Sequence, residues 1–226
     1  VYSTSDPKLE RFADHGVSFT NTAEGAGLPY HPDMDIYAPD AIEKNGKYYF
    51  YFTTTAKTGG GRAIGVGVAD NPAGPFKDLG YPLVDEPDWN DIDPTVFIDD
   101  DGQRYAIWGE RRIARLKEDM VTIDTLVTIP TRKKNYTEGP IFFKRKGIYY
   151  YLYTNMALER YEYFYQMSSV SPFGPYVTPK QDNVCTTNAE TGVFGPGHGC
   201  VFNVEGTDDY YLCYLEFSRN STNRQI

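Results

Sequence analysis

The chain has 226 residues, with 22 Lys+Arg against 31 Asp+Glu and a formal charge of −9. That balance argues against nucleic acid, whose binding proteins carry a basic footprint, and suits a neutral substrate. No run of roughly 18 apolar residues is present, so no helical membrane span is expected. The 20 Tyr and 13 Phe, beside only 2 Trp, favour strands and leave some aromatic surface for stacking on sugar rings. A length of this order suits one large all-β domain, taken here as residues 1–226.

In chain order, residues 1–19 (VYSTSDPKLERFADHGVSF) predict a strand, a Ser-Asp-Pro turn and an edge strand, without an inner hairpin before them. YAPDAIEKNGKYYFYF (37–52) predicts a hairpin around Gly46, and GVADNPAGPFKDLG (67–80) a third strand, a Pro/Gly turn and a fourth, edge strand. The hairpin pattern returns as DIDPTVFIDDDGQRYAIW around Gly102, YTEGPIFFKRKGIYYYLY around Gly147 and GHGCVFNVEGTDDYYLCY around Gly206. ARLKEDMVTIDT (114–125) and QMSSVSPFGPYVTP (166–179) occupy the place of the outer strands, and the last hairpin, to about Phe217, has none. Gly59-Gly60-Gly61 precedes a strand and reads as a loop, not a phosphate cradle.

Repeats of about 40–60 residues with several short strands per unit are the signature of a β-propeller. Three whole units and two half-units predict an all-β, five-bladed β-propeller. The inner part of the first blade and the outer part of the last are expected to be missing from this chain. Such ragged edges would expose unpaired backbone groups, so a second polypeptide fragment completing the propeller is an expected partner.

Counted from the turn glycines, the residues leading each first strand are Tyr37, Asp93, Glu138 and, one position closer, His198. In a propeller they converge on one face of the ring. Taken singly, Asp93 reads equally as an Asp-Pro turn, Glu138 as a strand-start cap and His198 as a loop residue between glycines. Their equivalent placement is what points to chemistry. Two carboxyls across a cavity suggest glycoside hydrolysis, in which one must hold a proton through burial or a neighbouring negative charge; Glu138 with Asp93 nearby fits. Asp99-Asp100-Asp101-Gly102 reads as a hairpin turn in preference to a calcium site. No zinc spacing, phosphate loop or nucleophile elbow is present.

Among three cysteines, Cys200 and Cys213 fall opposite each other if the hairpin turns around Gly206 and Thr207. A cross-strand disulfide and a pair of buried thiols both remain open readings there, with Cys185 left over. The sequons at Asn135 and Asn220 are compatible with secretion.

The ordered anchors YAPDAIEKNGKYYFYF, IGVGVADNPAGPF, DIDPTVFIDDDG, RLKEDM, TEGPIFFKRKGIYY and GPGHG resemble glycoside hydrolase family 43, the arabinofuranosidase and β-xylosidase type, over nearly the whole chain. The resemblance implies a secreted, inverting hydrolase releasing arabinofuranose or xylose from xylan, arabinoxylan or arabinan. Glu138 matches the general acid and Asp93 the carboxylate that tunes and orients it. His198 matches the axial histidine near a water-coordinated calcium or similar ion; no cofactor is implied for the chemistry itself. The general-base Asp is expected to lie off this chain, since Asp6-Pro7 falls in an outer turn and Asp40 too far along its strand. Tyr37, where many relatives carry Trp, with Trp89, Trp108 and Asp40, make up the candidate substrate-binding set. Arabinose and xylose would be told apart by pocket details set in loops such as 53–62 and 155–165, which the sequence does not rank. A carbohydrate-binding propeller without a base is the alternative, and a protein-binding platform a third.

Overall fold

Alternating side chains in the aromatic-rich runs and glycines at the turns give strands and turns alone among the residues that the computed structural model describes, namely 1–6, 8–20, 36–56, 60–132, 136–157, 160–217 and 224–225. These fall into two compact units, Val1–Asp91 and Ile92–Ile226.

In the first unit β1 (Tyr2–Ser3) pairs antiparallel with β2 (Ala13–Asp14). A second sheet holds β3 (Tyr37–Lys44), β4 (Lys47–Thr55), β5 (Arg62–Ala69) and β6 (Lys77–Asp78) in that order, and β7 (Val84–Asp88) also pairs with β5. The β3–β4 turn places Asn45 and Gly46 at φ 54° and 74°, the left-handed pair that a tight two-residue hairpin demands. Phe52, Ala56 and Ala63 form the core here, with Phe19, Ile36 and Phe50 packed on them.

The second unit opens with β8 (Thr95–Ile98), β9 (Arg104–Trp108), β10 (Arg112–Leu116) and β11 (Ile123–Thr128), a four-stranded meander. A second meander follows: β12 (Thr137–Arg145), β13 (Ile148–Ala157), β14 (Arg160–Ser168) and β15 (Asn183–Cys185). The last sheet is β16 (Gly197–Asn203), β17 (Tyr210–Phe217) and β18 (Arg224–Gln225).

The tyrosine run of β13 follows from covering both faces of one sheet, which removes the polar alternation of a half-exposed strand. Tyr149, Tyr151 and Tyr153 join Phe142 in a core with Tyr105, Ile107 and Ile113. Leu152, with Tyr150 packed against it, lies in another core with Ile141, Tyr163, Val201 and Leu212. Each such buried side chain contributes roughly 1.5–3 kcal/mol by apolar burial.

Five sheets therefore occur among the described residues, three of them with four or more strands. Two expectations need correction. The fourth strand after each Pro-x-Gly-Pro turn is split: β6 and β7 both pair with β5, while Val177 bridges Met167 and β15 pairs with β14. Proline lacks the donor that a continuous ladder needs. The closing hairpin also gains a third strand, β18. The sequons at Asn135 and Asn220, and Pro7, lie outside the described residues.

Candidate active site

The leading ends of β3, β12 and β16 depart from regular pairing. The register shifts between Tyr37 and Asp40, between Glu138 and Ile141, and between Gly197 and Gly199. Ala38, Asp93, Gly139 and His198 all take positive φ, at 43°, 56°, 54° and 41°. This backbone equivalence corrects the alignment by turn glycines: Asp93 corresponds to Gly139, not to Glu138. The β8–β9 turn is longer than its β12–β13 counterpart, with Ile98 facing Arg104 where Arg145 faces Ile148. Non-glycine residues at positive φ cost of order 1–3 kcal/mol and cluster at functional sites.

Asp93, Glu138 and His198, all in the second unit, come together with their donor atoms within 4.8 Å of one another. Asp93 is 8% exposed and Glu138 9%. The Gly139 N–H donates to Asp93 Oδ2 at 3.0 Å, and His198 Nδ1 lies 3.5 Å from the same oxygen. The His198 N–H donates to Thr154 Oγ1 at 2.9 Å, and Thr154 faces Glu138 across the β12–β13 ladder. One carboxylate thus has a fixed hydrogen-bond donor, and the other stands close beside it in a water-poor setting that strengthens their coupling.

The glycines around this cluster are needed for approach. A Cβ on Gly139 would lie 3.1 Å from His198 Cα, and one on Gly197 would lie 2.5 Å from Tyr161 Cβ. A Cβ on Gly199 would lie 1.8 Å from the Cys213 carbonyl oxygen. His198 between glycines is therefore a strand residue squeezed against two neighbours. Sequence reasoning missed Gly139 and Thr154; the glycine signal was present in TEGP, while Thr154 shows itself only through register.

The substrate-binding candidates fare differently. In the first unit Tyr37 (42% exposed) and Trp89 (65% exposed) flank the Arg62 guanidinium, which lies 5.0 Å and 5.4 Å from their ring centroids. Arg62 was not foreseen; cation–π contacts of this kind hold rings in place. Asp40 sits beyond the register shift of β3, where its Oδ1 accepts from the Ala41 N–H. Trp108 is 1% exposed, so its ring offers no face to a sugar, and that assignment is withdrawn. Of segment 53–62, residues 53–55 end β4 and Arg62 begins β5, and segment 155–165 comprises the end of β13 and the start of β14, with 57–59 and 158–159 outside the described residues.

Asp99 does belong to a hairpin turn, and it also meets a cation. Lys144 Nζ donates to Asp99 Oδ1 at 2.7 Å and Tyr149 Oη to Oδ2 at 2.6 Å, with Lys144 also 2.8 Å from Asp100. Burial works against ionisation of Asp99, but these hydrogen bonds outweigh it and lower its pKa. A lysine thus supplies the positive charge in this turn.

As a metal centre, Asp93, Glu138 and His198 offer two carboxylates and one imidazole. Calcium prefers about six to eight oxygen ligands, so these side chains alone fall short of its shell. An ion held by this cluster would need further ligands, such as water, to fill its shell.

Comparison with known proteins places the chain in a family. The chain is 34% identical to the β-D-galactofuranosidase xynD of Aspergillus niger, over 97% of this chain and 66% of that protein. It is 29% identical to the arabinoxylan arabinofuranohydrolase of Bacillus subtilis, over 95% of this chain and 47% of the relative. A solved structure described as a glycoside hydrolase shares 50% identity at a TM-score of 0.77, covering 89% of this chain and 47% of that one. The chain thus spans between about half and two thirds of these relatives. The family profile of glycosyl hydrolases family 43 matches residues 4–226, and the chain belongs to that family.

Proposed function

We propose that the chain is the catalytic propeller, five blades in plan, of a secreted glycosidase that hydrolyses furanosides or xylosides of plant polysaccharide with inversion. The observation that carries this reading is the nearly buried Asp93–Glu138 pair beside His198. Glu138 is the general acid, protonating the leaving oxygen as the glycosidic bond breaks. Asp93 is held by the Gly139 N–H and acts on Glu138 as the orienting, charge-tuning neighbour.

Asp93 is unsuited to activating water. An inverting acid and base stand roughly 6.5–9.5 Å apart to admit that water, whereas donor atoms of Asp93 and Glu138 lie within 4.8 Å. Water activation is therefore assigned to a carboxylate beyond these residues, brought by a further polypeptide segment. A hydrated divalent cation near His198 would add positive charge to the site when bound. Tyr37 and Trp89, held by Arg62, are the proposed sugar-stacking pair.

The test offers the chain, together with the segment that brings the water-activating carboxylate, 4-nitrophenyl α-L-arabinofuranoside, β-D-xyloside and β-D-galactofuranoside, the last because of the relative from A. niger. Proton NMR follows the anomer first released. Turnover of at least one, with inverted product, is the expected result. Retention of configuration would overturn the inverting assignment. Binding of xylo- or arabino-oligosaccharides without turnover would favour a carbohydrate-binding propeller.

A further inference from the structure

The β16–β17 hairpin carries a second, unrelated piece of chemistry. Cys200 and Cys213 are direct register partners, and both are exposed. Two residues along each strand, on the same side of the pleat, Phe202 faces Tyr211 with ring centroids 5.4 Å apart and planes 15° from parallel. Side chains on this face therefore do meet across the hairpin. Facing residues of an antiparallel pair have Cα atoms about 4.5–5.5 Å apart, inside the roughly 4.4–6.8 Å that a disulfide spans.

We propose that Cys200 and Cys213 form a cross-strand disulfide through exchange with a small-molecule disulfide of the glutathione class. One cysteine sulfur attacks the small disulfide, giving a mixed disulfide and releasing one small thiol. The second cysteine sulfur attacks the protein side of that bond and releases the other. The two cysteines together give up two electrons and two protons, and the small disulfide takes them up as two thiols. Cys185 stays outside this reaction: it packs against the Ile141–Leu152–Tyr163 core, and burial pushes its thiol pKa up.

The bond would fasten β16 to β17 two residues after His198. It ties the strand that carries the histidine, already pressed on the Cys213 carbonyl through Gly199, to its partner, and opposes opening of the hairpin. The proposal does not depend on the glycosidase reading.

The test uses the full chain equilibrated with mixed reduced and oxidised glutathione, denatured into iodoacetamide and weighed intact. One adduct is expected before reduction and three after dithiothreitol, with peptide mapping joining Cys200 to Cys213. Cys200→Ser should carry iodoacetamide on Cys185 and Cys213. Dithiothreitol should lower the melting temperature of the natural chain by several degrees and leave that of Cys200→Ser unmoved. Three adducts before reduction, a persistent glutathione adduct, or a link involving Cys185 would each overturn the proposal.

Discussion

Gly139, the residue after Glu138, donates its backbone N–H to Asp93 Oδ2 at 3.0 Å across 46 positions of sequence. The hydrogen bond joins the leading ends of two hairpins, so Asp93 and Glu138 keep their spacing through backbone as well as side chain. Gly139→Ala attacks this joint directly. A methyl there meets His198 and must adopt φ near +54°, a conformation costing about 1–2 kcal/mol for a residue with Cβ. The variant should melt lower and lose most activity; a fully active variant would show that the joint is dispensable.

Glu138→Gln removes the proton donor and keeps its size. Loss of a general acid costs about 10²–10⁴-fold, and the loss should depend on the leaving group. Hydrolysis of 4-nitrophenyl glycosides should suffer less than that of oligosaccharides, whose departing alkoxide needs the proton. Equal losses on both would argue against the acid role, and a folded circular dichroism spectrum guards against simple unfolding.

Asp93→Asn removes a negative charge close to the acid. It also removes the carboxylate that accepts the Gly139 N–H beside Glu138, so the rate should fall while the fold, read by circular dichroism, is kept. An unchanged rate would leave Asp93 without a role in positioning the acid.

Acid stability should report two other carboxylates. Asp99 lies below its ordinary 3.8, and hydrogen bonds from Arg145 and Lys146 hold Asp208 at about 2. Because both folded values are depressed, the stabilisation is complete above the ordinary carboxylate range and disappears as pH falls toward the folded values. Melting curves between about pH 5 and pH 2 should therefore decline more steeply for the natural chain than for Asp208→Asn. Asp99→Asn, which leaves buried donors poorly matched, should cost about 1–3 kcal/mol at neutral pH. Parallel curves for Asp208→Asn would contradict the pairing.

Removal of divalent ions with a chelator should lower activity while leaving the melting temperature nearly unchanged, since an ion reached through one histidine contributes little to folding. Added calcium should restore the rate. His198→Ala should abolish that response; a response that survives the substitution would place the ion elsewhere.

The hairpins were legible because turn glycines and alternating aromatics obey local rules. The Cys200–Cys213 register followed from placing the turn between Gly206 and Thr207, as the pairing bears out. Grouping Asp93, Glu138 and His198 needed only the repeat. The finer alignment failed because turns of different length shift any count made back from their glycines. Trp108 misled because exposure depends on what covers β9, which no local pattern states. Arg62 was invisible for a related reason: its rings come from β3 and from the end of β7.

The two tryptophans divide between the units, Trp89 in the first, 65% exposed, and Trp108 in the second, 1% exposed. Each unit thus carries its own optical reporter. Emission from Trp89 should be red-shifted and readily quenched by acrylamide, that from Trp108 blue-shifted and protected. Replacing either by Phe leaves a single-wavelength view of one unit. Unfolding followed through the two single-tryptophan chains then shows whether both halves of the polypeptide let go at the same denaturant concentration.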